Sequence, residues 1–244
     1  MLEALRHPPR WVEWLIKLAL VIGAIWLAIN LIWPTCTFRY RLTVEVETPQ
    51  GLKTGSSVID ATIAYQWQAL PEVGVFKSSV TGEAVFVDLG DGKNLVVTLT
   101  NDGSGRTDAR EPEKRSHDAF YLPFVLFGLD YLDKSTLCGA IRAVNDARQV
   151  PLEMLPTIVT FLDANDPKSV RRLEPRGLPA ILGQGYSIRA ATLLRVTDPP
   201  SDSIEQELGW LKGASGVLWG PNYQPDHPER YLSFSNFKSR GWSQ

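Results

Sequence analysis

Residues 37–48 read TFRYRLTVEVET. Phe38, Tyr40, Leu42, Val44 and Val46 alternate with Arg39, Arg41, Thr43, Glu45 and Glu47. A period of two over this length means a strand with one buried face and one wet face. Pro49-Gln50-Gly51 makes a turn, and 55–65 resumes strand character, so these two segments read as a hairpin. A second hairpin follows at 83–89 and 93–100, both rich in Val, Leu and Thr. Gly90-Asp91-Gly92 supplies the positive-φ positions that its turn needs.

Further on the period changes. Residues 101–118, NDGSGRTDAREPEKRSHD, are almost wholly polar and read as a mobile surface loop. Residues 119–132 are apolar with aromatics around Pro123. Helical spacing runs through Leu137, Ile141 and Val144 over 135–149. Residues 157–162 form a compact apolar strand, 163–168 a turn, and 175–182 a short helix ending at Gly183. In 186–196, Ile188, Ala190, Thr192 and Leu194 alternate against Arg189, Ala191, Leu193 and Arg195 as another strand. A helix over 203–211 is expected, with Ser201 or Asp202 as its cap. Residues 213–244 show no period and read as a loop-rich tail on the surface. Strands, then helices, then strands predict an α+β fold with a mainly antiparallel sheet and a few helices, spread over a single soluble domain at 37–244.

Upstream of that domain, 15–33 reads LIKLALVIGAIWLAINLIW, with one charge at Lys17 and one amide at Asn30. At about 1.5 Å rise per residue it spans roughly 28 Å, close to the hydrocarbon thickness of a bilayer. Trp11 and Trp14 border one end, and Trp33, Phe38 and Tyr40 the other, as aromatic rings at two water interfaces do. Lys17, in the first turn, can snorkel to the headgroups. The run exceeds a signal-peptide core, and no small-x-small cleavage site follows it. An uncleaved anchor behind a short stub at 1–14 is therefore expected. The flanking charge is nearly balanced, with Arg6, Arg10 and Lys17 on one side and Arg39 and Arg41 on the other. A short N-terminal stub favours a cytoplasmic N-terminus and a translocated domain.

Composition narrows the functional classes. A net charge of −2 and a pI near 6.0 carry no basic face for nucleic acid. The eight Trp include four in the anchor region, Trp11, Trp14, Trp26 and Trp33, so the aromatic excess reflects the membrane. Cys36 and Cys138 are too few for a disulfide scaffold or a cysteine-based zinc site. They read as two unpaired thiols, Cys138 being a small core residue. The alternative, in an oxidising compartment, is one bridge tying the domain to its anchor.

Residues 40–59, YRLTVEVETPQGLKTGSSVI, together with 82–89, GEAVFVDL, 155–170, LPTIVTFLDANDPKSV, and 178–188, resemble an uncharacterised family of single-pass membrane-anchored proteins of Gram-negative bacteria. The resemblance covers about two-thirds of the chain. It implies a bacterial envelope setting, and the family has no established activity that could be carried to particular residues.

Reactive constellations are sparse. His7, His117 and His227 show no metal-ligand spacing. Ser56 and Ser57, after Gly55, are the nucleophile candidates, with His117 or His227 as base, but the segment lacks a G-x-S-x-G elbow. The competing reading makes them strand serines whose hydroxyls satisfy nearby backbone. Asp163, Asn165 and Asp166 place three oxygen side chains in four residues. A calcium loop would need more ligands, and Asx residues before Pro167 are ordinary turn formers. Arg171 and Arg172 read as a solvated strand edge. Gly183-Gln184-Gly185 lacks the third glycine of a dinucleotide fingerprint. No cofactor is expected. The sequence leads to a non-enzymatic, membrane-tethered interaction or accessory protein of the inner membrane, its domain periplasmic. It would contact the lipid bilayer through 15–33, and another envelope protein rather than nucleic acid. A serine hydrolase using Ser56 or Ser57, and a cytoplasmic membrane-bound adaptor, are the alternatives.

Overall fold

The computed structural model describes residues 10–68, 70, 74–100, 118–213, 215–216, 218 and 232–241. The polar loop at 101–118 therefore lies outside the described residues except for Asp118, as does all of 219–231 within the expected tail. The fold is α+β: an N-terminal apolar helix is followed by antiparallel sheets and a few short helices. Two compact units divide the chain, Met1–Thr35 with Ala64–Lys77, and Cys36–Ile63 with Ser78–Gln244. The expected single domain at 37–244 thus gives up 64–77 to the unit that holds the helix.

Helix α1 spans Arg10–Ile32, starting five residues before the expected 15, so 10–14 are helix and not stub. Its candidate span, Trp11–Ile29, has a mean hydropathy of 2.1, and none of it is buried by the rest of the protein. Lys17 consequently lies about two turns inside the helix rather than in its first turn. A helix this apolar and uncovered is long enough to cross a bilayer.

In the second unit, β1 (Thr35–Thr48) buries Cys36, Phe38, Tyr40, Leu42, Val44, Val46 and Thr48 at every second position, as the sequence pattern requires. It lies between β2 (Gly51–Tyr65) and β9 (Ser187–Arg195) in a six-stranded sheet of order β10-β3-β2-β1-β9-β6. The other members are β3 (Phe76–Glu83), β6 (Arg148–Gln149) and β10 (Lys238–Arg240). Strand β3 escaped the sequence reading because FKSSVTGE is polar at most positions and sits at the sheet's periphery. Strand β10 replaces part of the expected surface tail. It pairs with β3, and the neighbouring Phe237 is fully buried.

Strand β9 departs from its predicted faces. Its pairing with β1 shifts between Glu45 and Val46, so that Glu45 faces Ala190 but Val46 faces Ile188. One extra residue reverses the alternation: Ile188, Ala191 and Leu193 are buried while Leu194 is exposed. The uniform alternation read from the sequence therefore holds only on each side of the bulge.

The buried face of β1 is covered by α2 (Leu122–Phe127) and α3 (Leu137–Ala143). Phe38 packs edge-on to Phe124 at 6.1 Å and tilted to Phe127 at 5.6 Å. Pro123 starts α2, and Gly128 closes it. The expected helix over 135–149 shrinks to α3, because 148–149 are drawn out to pair with β9 as β6, and the one expected over 175–182 shortens to α4 (Pro179–Leu182).

A four-stranded sheet of order β4-β5-β7-β8 contains Val85–Gly90, Lys93–Val97, Ile158–Phe161 and Val170–Leu173. Its first hairpin turns through positive φ at Gly90, Asp91 and Gly92, as anticipated. Val96, Val159, Phe161 and Val170 form a core with Ile204, Leu208, Leu211, Leu232 and Phe237. Where β2 passes β4 the backbones nearly touch. A Cβ on Gly55 would lie 2.1 Å from the Phe86 carbonyl oxygen, so this crossing admits no side chain.

Candidate functional site

The helix over 203–211 is broken into α5 (Ile204–Glu207) and a 3-10 turn at Gly209–Leu211. Neither Ser201 nor Asp202 caps it. Glu83, at the end of β3, does so from a distance of 120 residues along the chain. Its Oε2 accepts the N–H groups of Ser203 at 2.7 Å and Ile204 at 2.8 Å, and Oε1 accepts the Ser203 hydroxyl at 2.9 Å. Only 3% of Glu83 is exposed. A carboxylate there meets the orphan donors of a helix start. Ser201 is used elsewhere, its Oγ accepting from the Val58 N–H at 2.9 Å, and Asp202 pairs with Lys238.

Beside this latch lies a cleft of about 600 Å³ lined by Glu205, Leu211, Ser233, Phe234, Lys238 and Arg240, among others. Lys238 Nζ reaches Glu205 Oε1 at 2.6 Å as well as Asp202. Burial pulls the Lys238 ammonium down, but these two carboxylates outweigh it and hold the pKa above the ordinary lysine value. Ser233 donates to Asn236 Oδ1 at 2.7 Å within a capping box. The wall thus combines charge that is already paired with a hydroxyl that is already bonded. Among the described residues that line the cleft, no base lies against a nucleophile.

The sequence candidates are scattered. Ser56 and Ser57 lie inside β2, in a strand rather than a strand-to-helix turn, and adjacent strand residues face opposite ways. Ser56 is exposed; Ser57 is 1% exposed and donates to the Glu83 carbonyl at 2.7 Å. His7, His117 and His227 lie outside the described residues. Asp163 Oδ1 accepts the Asn165 N–H, and Asp166 Oδ1 the Lys168 N–H, each at 2.9 Å. These are Asx turns leading into the 3-10 turn Pro167–Ser169. Among the described residues no group of three or more His, Cys, Asp or Glu gathers to hold a metal ion. Arg171 and Arg172 sit in β8, half-buried.

The cysteines contradict the two-thiol reading. Cys36 and Cys138 form a disulfide, joining β1 to α3. Spacing gave no sign of it, because 102 residues separate the partners. Strand β1 begins two residues before the expected 37, and Cys36 continues its buried face with Phe38 and Tyr40.

Polar groups near that bridge are tightly engaged. Arg39 holds Asp60 with Nε to Oδ1 at 2.6 Å and Nη2 to Oδ2 at 2.7 Å, a two-pronged clamp between β1 and β2. The Asp60 hydrogen bond raises the Arg39 guanidinium further. Buried Tyr40 donates to the Ala119 carbonyl at 2.6 Å, and desolvation, then the Asp118 charge, push its phenol well up. Asp118 Oδ1 is buried and finds no hydrogen-bond partner among the described residues. Burial pushes this carboxyl up to about 6, against a downward pull from the Ala119 backbone. A raised carboxyl binds its proton more tightly folded than unfolded, so its contribution to stability is lost as pH rises from about 4 to about 6 and is level above that. Asp118→Asn is expected to leave the protein more stable than wild type at pH 7, by about 2 kcal/mol, with the gap closing toward pH 4. Urea midpoints of both proteins across that range test this, and a constant gap would refute it.

Comparison with protein-family models, with curated proteins and with solved structures returned no match.

Proposed function

We propose that the chain is a membrane-tethered envelope protein of a Gram-negative bacterium, with a cytoplasmic N-terminus, α1 retained as a single-pass anchor and the following domain in the periplasm. There it serves as a non-enzymatic interaction or accessory component. The observation that carries the reading is the Cys36–Cys138 disulfide. Such bonds persist in oxidising compartments and are rare where glutathione and thioredoxin keep thiols reduced. Cys36 follows the end of α1 by four residues, so the oxidising side begins directly after the span. That speaks against the cytoplasmic adaptor. The non-enzymatic part is supported by the commitments of the candidate residues: Ser57 is buried against the Glu83 carbonyl, and Asp163 and Asp166 are occupied by turns.

A reporter enzyme that is active only after export, fused behind Gln244, is expected to be active in intact cells. Activity only from a cytoplasm-dependent reporter would overturn the orientation. The intact mass of the membrane-extracted chain separates anchor from leader, since the anchor reading requires residues 10–32 to remain. Affinity purification in detergent should then bring down a stoichiometric envelope partner. Labelling of Ser56 or Ser57 by a fluorophosphonate probe would instead favour the hydrolase.

A further inference from the structure

The unit that contains α1 carries a second apolar feature. Its other segment, Ala64–Lys77, connects β2 to β3. The Tyr65 N–H donates to the Pro34 carbonyl at 3.2 Å, which ties the start of the connection to the residue two beyond the end of α1. Its neck is closed: the Gln66 N–H donates to the Val75 carbonyl at 3.1 Å, and Gln66 Nε2 to the Gly74 carbonyl at 2.8 Å. Tyr65 and Phe76 meet edge to face at 6.3 Å across it. Among the described residues here, Trp67 is 72%, Leu70 57% and Val75 42% exposed.

Water is a poor environment for such side chains. Between Gln66 and Phe76 the sequence has a single charged residue, Glu72. Trp67 follows the hydrogen-bonded Tyr65 by two residues, at most about 7 Å of chain. It therefore lies close to the point where α1 ends and where Trp33 marks the interface. Indole rings with an apolar body and one N–H concentrate at that depth of a bilayer.

We infer that the exposed apolar side chains Trp67 and Leu70 make a second membrane contact, inserted in the headgroup–acyl boundary of the leaflet through which α1 leaves. The inference rests on reading α1 as a retained anchor, and continuity with that span selects lipid as the occupant. The contact rests on apolar side chains, and no basic residue lies between 66 and 76 to draw anionic lipid. It should be insensitive to salt and to the fraction of anionic lipid.

The full-length protein in phosphatidylcholine vesicles provides the test. Single cysteines introduced by Leu70→Cys, Leu162→Cys and Ile22→Cys, each exposed in the protein, are labelled with an environment-sensitive fluorophore while the native disulfide stays oxidised. Position 70 should be quenched several-fold more by shallow nitroxide lipids than position 162, and less by aqueous iodide. Adding phosphatidylglycerol or salt should not change this, and Trp67→Ser in the Leu70→Cys background should weaken it. If position 22 is quenched by deep nitroxide lipids but position 70 behaves like 162, the inference fails and the anchor stands. If position 22 escapes lipid quenching too, both fail. Shielding of position 70 from lipid and iodide alike would mean a protein cover and would also overturn it.

Discussion

Replacing Cys36 and Cys138 together by Ser is expected to lower the stability of the domain by roughly 4–5 kcal/mol, the largest effect of any change considered. The bond joins residues 102 apart, and closing a loop of about 100 residues removes roughly 4.7 kcal/mol of entropy from the unfolded chain in the loop-closure description. Native contacts do not compensate readily. Helix α3 has only seven residues, with Leu137 and Ile141 as its buried anchors, too short to be stable by itself. Its C-terminal end is held by Arg195, whose Nε donates to the Val144 carbonyl at 2.8 Å. Without the bridge, 119–143 should open first, exposing Phe38 and Tyr40. Hydrogen exchange should therefore rise there before it rises in β4 and β5. An unchanged urea midpoint in the double-Ser protein would refute both the magnitude and the structural role. The effect also links folding to compartment, because a chain retained in a reducing cytoplasm would be weakened in the same way.

This bridge also shows where the sequence stopped being readable. Alternation in 37–48 is a local signal, and it correctly gave β1, its buried face and the hairpin that follows. Gly90-Asp91-Gly92 likewise encodes its own turn. Pairing of Cys36 with Cys138, by contrast, depends on α3 being carried back over β1, which no local pattern specifies. The bulge opposite Val46 is a property of two strands together, so the alternation in YSIRAAT around Ile188 could not reveal it. Strand β3 and strand β10 were hidden for a related reason. Each is short or polar, and each is a strand because a neighbour offers it hydrogen bonds, not because its own residues insist on it. Among the candidate residues, Asp163 and Asp166 were legible as turns since Asx turns close within two residues. The role of Ser57 needed a partner 26 positions away.

Glu83 is the clearest case of function assigned by tertiary placement, and it supports the second large prediction. Its carboxylate serves two backbone donors and one hydroxyl at the start of α5, while its carbonyl accepts from Ser57 and its backbone stands opposite Lys238 in the β3–β10 pair. Glu83→Ala would leave the Ser203 and Ile204 N–H groups without their acceptor, the latter in a residue that is 2% exposed. Unpaired buried donors cost about 1–3 kcal/mol each, so a loss of about 3 kcal/mol is expected. Glu83→Gln should cost only about 1 kcal/mol, because its amide oxygen can still accept both backbone N–H groups and its NH₂ can donate to the Ser203 oxygen. A capping role thus requires an acceptor, whereas a role dependent on charge would make Gln as damaging as Ala. Thermal and urea unfolding of the two variants distinguish these cases. Since α5 carries Glu205 and β10 carries Lys238, the Ala variant should also loosen the wall of the adjacent cleft. This would register as faster exchange at 204–211 and 238–240, with β1 and β9 unaffected.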